Sequence, residues 1–182
     1  MAETSTTFDG FVDDVRKIVE EGGGEHTVTH KVAGRLRGLL SRSDFIPQEA
    51  AAPDAERYVM HPLYVDPQSR FSIAAAVWDV GQETPIHDHG TWGVIGIYSG
   101  LEDERRYEPG DGAPRLLAER SWGPGDVDIC CTTDADLHSV RCGSDEPCVG
   151  IHVYGGDIGR IVRRAYDPAT GETKPFVSSW RA

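Results

Sequence analysis

The feature that most constrains the fold of this chain is a series of short β-rich runs, separated by turn residues, after about residue 58. Clusters of Gly, Pro, Asp and Ser divide these runs, and such residues are suited to tight turns. Many short strands at this spacing predict a β-sandwich or a small barrel. The predicted strands cover residues 71–80, 93–98, 115–118, 127–131, 139–142 and 148–154.

The N-terminal part has the different periodicity of amphipathic helices. Residues 8–20 place apolar side chains at helical spacing, and polar residues occupy the remaining surface. A glycine-rich segment at 21–25 ends this helix, and a second helical pattern runs over about 27–40. Both helices are expected to pack on the β-rich body as a cap.

The length of 182 residues suits one domain with a hydrophobic core better than two. We therefore expect a single, mainly β domain over residues 1–182. Its helical cap would cover about 8–45, and its β-barrel body with the C-terminal tail would cover about 58–182.

The charge of the chain excludes some classes of partner. A formal net charge of -12 argues against nucleic acid and anionic membranes, because their phosphates need a clustered basic face. No window approaches the roughly 18 apolar residues of a membrane span, and the N-terminus lacks the basic-then-apolar order of a signal peptide. We predict a cytoplasmic protein that is a monomer or a homodimer.

Four cysteines occur, at positions 130, 131, 142 and 148. Their spacing matches neither a zinc-binding Cys-x-x-Cys pair nor a dense disulfide framework. Reduced thiols are therefore expected.

Two closely spaced histidines are the strongest chemical signal. His87 and His89 lie two residues apart, so on a strand both imidazoles would project from the same face and could reach one metal ion. A third ligand has to come from elsewhere in the fold. His138 is the best candidate, because it follows a turn at 122–126 that should lead into a strand.

These histidines lie in two stretches that resemble the sequence motifs of the cupins. The first cupin motif, G-x5-H-x-H-x3-E-x6-G, is matched at Gly81, His87, His89 and Gly100. Gly93, however, stands where this motif has its glutamate. The second motif is matched at Pro124, Gly125 and His138. The resemblance implies a double-stranded β-helix, which is a jelly-roll-like barrel.

Within the cupins, a three-histidine site without a carboxylate resembles the thiol dioxygenases, the family of cysteine dioxygenase and bacterial 3-mercaptopropionate dioxygenase. The segments at 87–96, 150–159 and 166–171 look similar to the bacterial members. The resemblance extends from about Pro62 to the C-terminus. It implies an enzyme that uses O2 to convert a small thiol into its sulfinic acid.

The resemblance also implies a cofactor, Fe(II), held by His87, His89 and His138. Three neutral imidazoles leave the ion its full double positive charge, which favours an anionic ligand at the open positions. A substrate thiolate suits that demand. The expected partners are therefore a small-molecule thiol and O2.

The family places a Ser-x-His-x-Tyr relay beside the metal, and the matching residues here are Gly150, His152 and Tyr154. Strand alternation puts all three on one face, so the resemblance implies catalytic roles for His152 and Tyr154. Gly150 offers no hydroxyl to orient His152. The relay is thus truncated, and water could take the place of the serine.

The family also binds the substrate carboxylate with an arginine, and here Arg163 is the first choice and Arg164 the neighbouring alternative. The forked donors of a guanidinium match a carboxylate in bidentate fashion. At the early strand where family members carry a second arginine or a glutamine, residues 58–61 offer neither. A thiol carboxylate without an amino group, similar to 3-mercaptopropionate, is therefore favoured over cysteine. Because Gly93 and its neighbour occupy the matching region, no crosslink between a cysteine and Tyr154 is expected.

Two other functions remain open at this stage. A zinc or manganese cupin could use three histidines and an open position as a Lewis acid in an isomerase or a hydrolase. A non-catalytic cupin could bind and sense a ligand. Metal identity and thiol-dependent oxygen consumption would separate these alternatives from the thiol dioxygenase.

Overall fold

The computed structural model describes residues 7–42, 44–133 and 136–181. The helices are α1 (Phe8–Glu21), α2 (Glu25–Leu40) and a short 3-10 helix (Gln48–Ala51). The strands are β1 (Val59–Val65), β2 (Ser72–Trp78), β3 (Ile86–His87), β4 (Gly93–Ser99), β5 (Glu102–Glu108), β6 (Arg115–Trp122), β7 (Val127–Cys130), β8 (His138–Cys142), β9 (Cys148–Tyr154), β10 (Arg163–Tyr166) and β11 (Thr173–Phe176).

The described strands form two antiparallel sheets. One has the order β1-β2-β9-β4-β7, and the other has the order β11-β10-β3-β8-β5-β6. Both faces of β9 are covered, because every residue of this strand is buried. Its odd-numbered residues, such as Ile151, join the core that includes the helices. Its even-numbered residues, such as Tyr154, face the space between the sheets.

The helices cover the outer face of the five-stranded sheet. Apolar residues of α1 and α2, among them Val15 and Leu36, share one buried cluster with Val94 of β4 and Ile151 of β9. The approach of α2 to β4 is close, since a Cβ on Gly96 would lie 2.6 Å from a methyl carbon of Leu40. Neither helix has the combination of length and apolar composition that a membrane span requires, as judged over the described residues.

The predicted fold class is confirmed: the structure is mainly β, with two helices at the N-terminus. The helices and the six predicted strands are present, and β6 extends to Trp122 rather than ending at 118. The six predicted runs did not include β1, β3, β5, β10 or β11, although the spacing of His87 and His89 was interpreted as that of a strand. Of these, β5 matters most, because its sequence EDERRYE is highly charged and nevertheless places two buried glutamates, Glu102 and Glu104, between the sheets.

The expectation of reduced thiols is wrong for two of the four cysteines. Cys142 and Cys148 form a disulfide, with their Cα atoms 5.6 Å apart. They lie at the end of β8 and the start of β9, so the bond closes the turn between these strands. The strands joined in this way carry His138 and the pair His152 and Tyr154. Cys130 and Cys131 are buried, as expected for small apolar side chains.

Candidate metal centre

Three histidines meet between the two sheets, and they are the three that the sequence predicts as metal ligands. His87, His89 and His138 each offer one ring nitrogen, and these nitrogens all lie within 4.8 Å of one another. All three residues are buried. The cluster can hold one metal ion.

Strand pairing brings His87 and His138 together, because β3 and β8 are antiparallel neighbours and these residues face each other in the register. Their ring centroids are 4.8 Å apart. His89 lies two residues past the end of β3, so the prediction that both histidines of the pair lie on a strand is wrong for His89. Its backbone N–H donates to the Asp136 carboxylate at 3.3 Å, and its ring lies 4.7 Å from that of His138.

Hydrogen bonds orient two of the three rings. The Nδ1 atom of His138 bonds to the Glu104 carboxylate at 2.8 Å, and the Nδ1 atom of His87 bonds to the Pro85 carbonyl oxygen at 2.9 Å. Because both acceptors are oxygens, each Nδ1 carries the proton and each Nε2 keeps its lone pair. This is the tautomer that a metal-binding imidazole needs.

Glu104, which the sequence analysis did not identify, is the main support of His138. Burial opposes ionisation of this carboxyl group, but its hydrogen bond with His138 and the nearby Arg106 lower its pKa to about 2. The same carboxylate accepts hydrogen bonds from Trp122 Nε1 at 3.0 Å and from Arg106 Nε at 3.2 Å. Glu104 is therefore ionised and held in place from several sides.

His87 and His89 are neutral in the folded protein. Burial, followed by the neighbouring His138, lowers the pKa of His87 and of His89 well below the ordinary value. An unprotonated imidazole is the form that binds a metal ion. His87 and His89 are thus ready to bind a metal ion at neutral pH.

The donor set of the centre contains no carboxylate, as far as the described residues go. Asp88 lies between two of the histidines in sequence, but its carboxylate accepts a hydrogen bond from Arg164 Nε at 2.6 Å. Gly93 holds the position of the motif's glutamate, and a Cβ there would meet the Tyr154 ring at 3.3 Å. Three neutral nitrogen donors fit a divalent transition-metal ion such as iron or zinc.

His152 and Tyr154 lie beside the histidine cluster on β9, as the sequence predicts. The Tyr154 ring is 5.6 Å from the His89 ring, and its hydroxyl oxygen is 2.8 Å from His152 Nδ1. Burial lowers the pKa of His152 to about 3, and burial raises the pKa of Tyr154. Both side chains are neutral at pH 7, so the pair can share or relay a hydrogen bond next to the cluster.

The two predicted arginines have opposite environments. Arg163 is 3% exposed and stacks over Phe176 with its guanidinium carbon 4.6 Å from the ring centre, and that ring lies 5.9 Å from the His87 ring. Arg163 donates to Ser178, but its Nε has no partner among the described residues, and no carboxylate within that set pairs with it. Arg164 has a side chain that is 64% exposed and paired with Asp88. The structure brings Arg163, and not Arg164, to the interior.

This geometry can be set beside known proteins. No profile of a known protein family matches the chain. Among solved structures, it is similar to an uncharacterized conserved protein with a double-stranded β-helix domain from Klebsiella pneumoniae, with a TM-score of 0.50 and 13% identity over 76% of this chain and 94% of that chain. The chain has the cupin fold.

Two further likenesses have lower TM-scores. An RmlC-like cupin protein from Desulfovibrio desulfuricans has a TM-score of 0.45 and 23% identity, over 60% of this chain and 92% of that chain. Oxalate oxidase in complex with the substrate analogue glycolate has a TM-score of 0.49 and 12% identity, over 63% of this chain and 60% of that chain. Neither likeness is evidence of an activity for this chain.

Within the cupin fold, the residues that sequence reasoning missed are those that support the predicted ones. Glu104 bonds to His138, Asp136 bonds to the backbone of His89, and Ser178 accepts a hydrogen bond from Arg163. None of them belongs to a motif. The alternation of Glu102 and Glu104 on β5 would place both on one face of a strand, but it does not show that this face is buried.

Replacing Glu104 with glutamine is expected to weaken metal binding by about tenfold to a hundredfold, because it removes the charged acceptor that orients His138. The measurement is a competition titration of the metal against a chelator. Glu119→Gln is a suitable control, because Glu119 lies exposed on β6 and pairs with Arg105. An unchanged affinity in Glu104→Gln would show that Glu104 does not support the metal centre.

Proposed function

We propose that this protein is an Fe(II)-dependent thiol dioxygenase that converts a small thiol carboxylate, similar to 3-mercaptopropionate, into its sulfinic acid. The observation that carries the proposal is the pairing of a carboxylate-free three-histidine cluster with a buried arginine that lacks a carboxylate partner among the described residues. The first feature favours an anionic ligand at the metal. The second favours an anionic group on the same molecule.

His87, His89 and His138 would hold the iron. When bound, Fe(II) would supply the Lewis acidity that converts the thiol into a thiolate and the one-electron chemistry by which O2 oxidises sulfur. One thiol and one O2 would give one sulfinic acid, with both oxygen atoms retained on sulfur. The reaction therefore balances without an external reductant.

Arg163 would bind the substrate carboxylate. Burying a guanidinium without an ionic partner costs free energy. A carboxylate ligand would balance the charge of Arg163 and accept a hydrogen bond from its unpaired Nε–H. The thiol end of the same molecule would then lie toward the histidine cluster, since the Phe176 ring under Arg163 also approaches His87. Fixing both ends of the substrate orients its sulfur for reaction.

Tyr154 would act as a neutral hydrogen-bond donor to the reacting groups. Burial keeps its phenol protonated, and His152 is available as the second partner of the hydroxyl oxygen. The hydroxyl is thus held in one place without losing its proton. Such a pre-oriented donor stabilises charge that develops during a reaction at lower cost than water does.

The lining of β1 and β2 supports a substrate without an amino group. Residues from these strands that face the space between the sheets are Met60, Ala74, Ala76 and Trp78. Neither strand contains an acidic side chain that could pair with an ammonium group. This favours 3-mercaptopropionate over cysteine.

The proposal is tested by loading metal-free protein anaerobically with Fe(II), Zn(II) or Mn(II) and measuring O2 uptake with 3-mercaptopropionate, mercaptosuccinate and cysteine. We expect O2 uptake only in the iron-loaded protein and only when a thiol is present. Propionate, which has no thiol, should cause no uptake. Retention of zinc or manganese with no thiol-dependent uptake in the iron-loaded protein would instead favour the Lewis-acid alternative.

Several expectations from the sequence stay predictions. They are the single domain over residues 1–182, the cytoplasmic location, and the monomeric or homodimeric state. A small-molecule thiol and O2 as partners, with no nucleic acid and no membrane, belong to the same proposal.

A further inference from the structure

Two buried polar atoms without hydrogen-bond partners lie close together beside Gly150. A Cβ built on Gly150 would lie 2.7 Å from Glu102 Oε1 and 2.7 Å from His152 Nε2. Neither atom has a hydrogen-bond partner among the residues that the structure describes. A buried carboxyl oxygen and a buried ring nitrogen left without partners are costly, so the space between them requires an occupant.

A cavity that Glu102 and His152 both line is large enough for one water molecule. Glu102 and His152 both line a cavity of about 20 Å³ between the sheets, and roughly 10–15 Å³ suffices for one water. Because each atom lies 2.7 Å from the Cβ position of Gly150, the two atoms are at most twice that distance apart. A single water can therefore bond to both, since each of its hydrogen bonds spans about 2.8 Å.

We propose that Glu102 positions His152 through one bridging water and thereby sets the direction of the hydrogen bond between His152 and Tyr154. The effect of Glu102 on turnover rests on the proposed function. Its effect on the tautomer of His152 does not depend on the proposed function. Glu102, on β5, then takes the place of the hydroxyl group that Gly150 lacks in the relay. Glu102 and His152 can both lie this close to Gly150 because it has no side chain.

The protonation state of Glu102 determines the direction of the hydrogen bonds from Glu102 through the water to His152. Burial, together with the charge of Glu104, raises the pKa of Glu102 to about 8, so the carboxyl group is neutral at pH 7. The other titratable groups that line the same cavity are Glu104, Asp126, Asp128, His138 and His152. A neutral carboxyl group donates to the water, and the water then donates to His152 Nε2.

This direction frees the hydroxyl proton of Tyr154. With Nε2 as an acceptor, the proton of His152 is on Nδ1, which donates to the hydroxyl oxygen of Tyr154 at 2.8 Å. The O–H of Tyr154 can then donate toward the histidine cluster. When Glu102 ionises, the water reverses, Nε2 carries the proton, and the Tyr154 O–H turns toward Nδ1.

The tautomer of His152 tests this directly and without turnover. In zinc-substituted, ¹⁵N-histidine-labelled protein, with His152 assigned from a His152→Gln sample, we expect the Nδ1–H form well below pH 8 and the Nε2–H form well above it. Glu102→Gln, which keeps the polarity but cannot ionise, and Glu102→Met, which keeps the volume only, should both remove the pH dependence. A tautomer that changes with pH in the same way in all three proteins would overturn the proposal.

Kinetics test the functional consequence. Glu102→Met is expected to lower kcat by about tenfold, the value of one hydrogen bond, with a smaller change in KM, and Glu102→Gln should restore most of the loss. In a Tyr154→Phe background, Glu102→Met should have no further effect, because Glu102 acts through that hydroxyl. Full additivity of the two substitutions would contradict the positioning role. If the wild-type protein consumes no O2 with any thiol, the proposed function fails, and the tautomer measurement still decides the role of Glu102.

Discussion

Replacing His89 with alanine is expected to remove the bound metal ion and to abolish thiol-dependent O2 uptake. His89 supplies one of three donors that approach within 4.8 Å of one another, and the described residues offer no fourth protein donor in that cluster to take its place. Two neutral imidazoles that remain would bind a divalent ion much more weakly than three. The measurements are the metal content after gel filtration and the rate of O2 uptake.

His30→Ala is the matched control, because His30 is exposed on α2 and outside the cluster. It should retain metal and activity at the wild-type level. Circular dichroism of both variants separates loss of the metal from loss of the fold. A folded His89→Ala protein that binds one iron as tightly as the wild type would contradict the assignment of this ligand.

Replacing Arg163 with methionine is expected to raise KM for 3-mercaptopropionate by roughly a hundredfold or more, because truncating one partner of a buried charge pair costs about 2–5 kcal/mol. The empty protein should not lose stability, since methionine fills a similar volume and removes a buried charge that has no carboxylate partner in the described part of the chain. Steady-state kinetics and thermal unfolding of the metal-free protein test both statements.

Arg164→Met is the control for Arg163, because Arg164 is the next residue but is exposed and paired with Asp88. Its KM should stay close to that of the wild type. A thiol that lacks a carboxylate should react poorly with the wild-type protein and be affected little by Arg163→Met. Equal increases in KM for both arginine variants would remove Arg163 from the substrate site.

The residues of the centre could be predicted to the extent that motifs and strand alternation determine them. His87, His89 and His138 follow from spacing and from the cupin resemblance, and the three meet in the structure. Alternation also predicts correctly that His152 and Tyr154 share a face of β9. The choice between Arg163 and Arg164 needed the register of β10, because neighbouring residues on a strand face opposite sides.

The supporting residues could not be predicted, for a physical reason that β5 illustrates. Its seven residues, Glu102–Glu108, are mostly charged and have the composition of an exposed segment. Two of its glutamates are nevertheless buried: one bonds to His138, and the other faces His152. Burial of a carboxyl group depends on partners that come from distant strands. Local sequence carries no signal for them.

The disulfide between Cys142 and Cys148 shows the same limit. The pair does not match a disulfide framework or a zinc motif, so its spacing alone predicts nothing. The two residues lie on either side of the turn by which the chain passes from β8 in one sheet to β9 in the other, and their Cα atoms are 5.6 Å apart. The way the chain crosses between the two sheets, which is a property of the whole fold, decided this contact.

The most direct test of the central claim is mass spectrometry of the product formed by the iron-loaded protein from 3-mercaptopropionate under ¹⁸O2. A thiol dioxygenase gives a sulfinic acid in which both oxygen atoms added to sulfur come from the labelled gas, and this is the product we expect. Formation of a disulfide with hydrogen peroxide, or a sulfinic acid that carries oxygen from water, would contradict it.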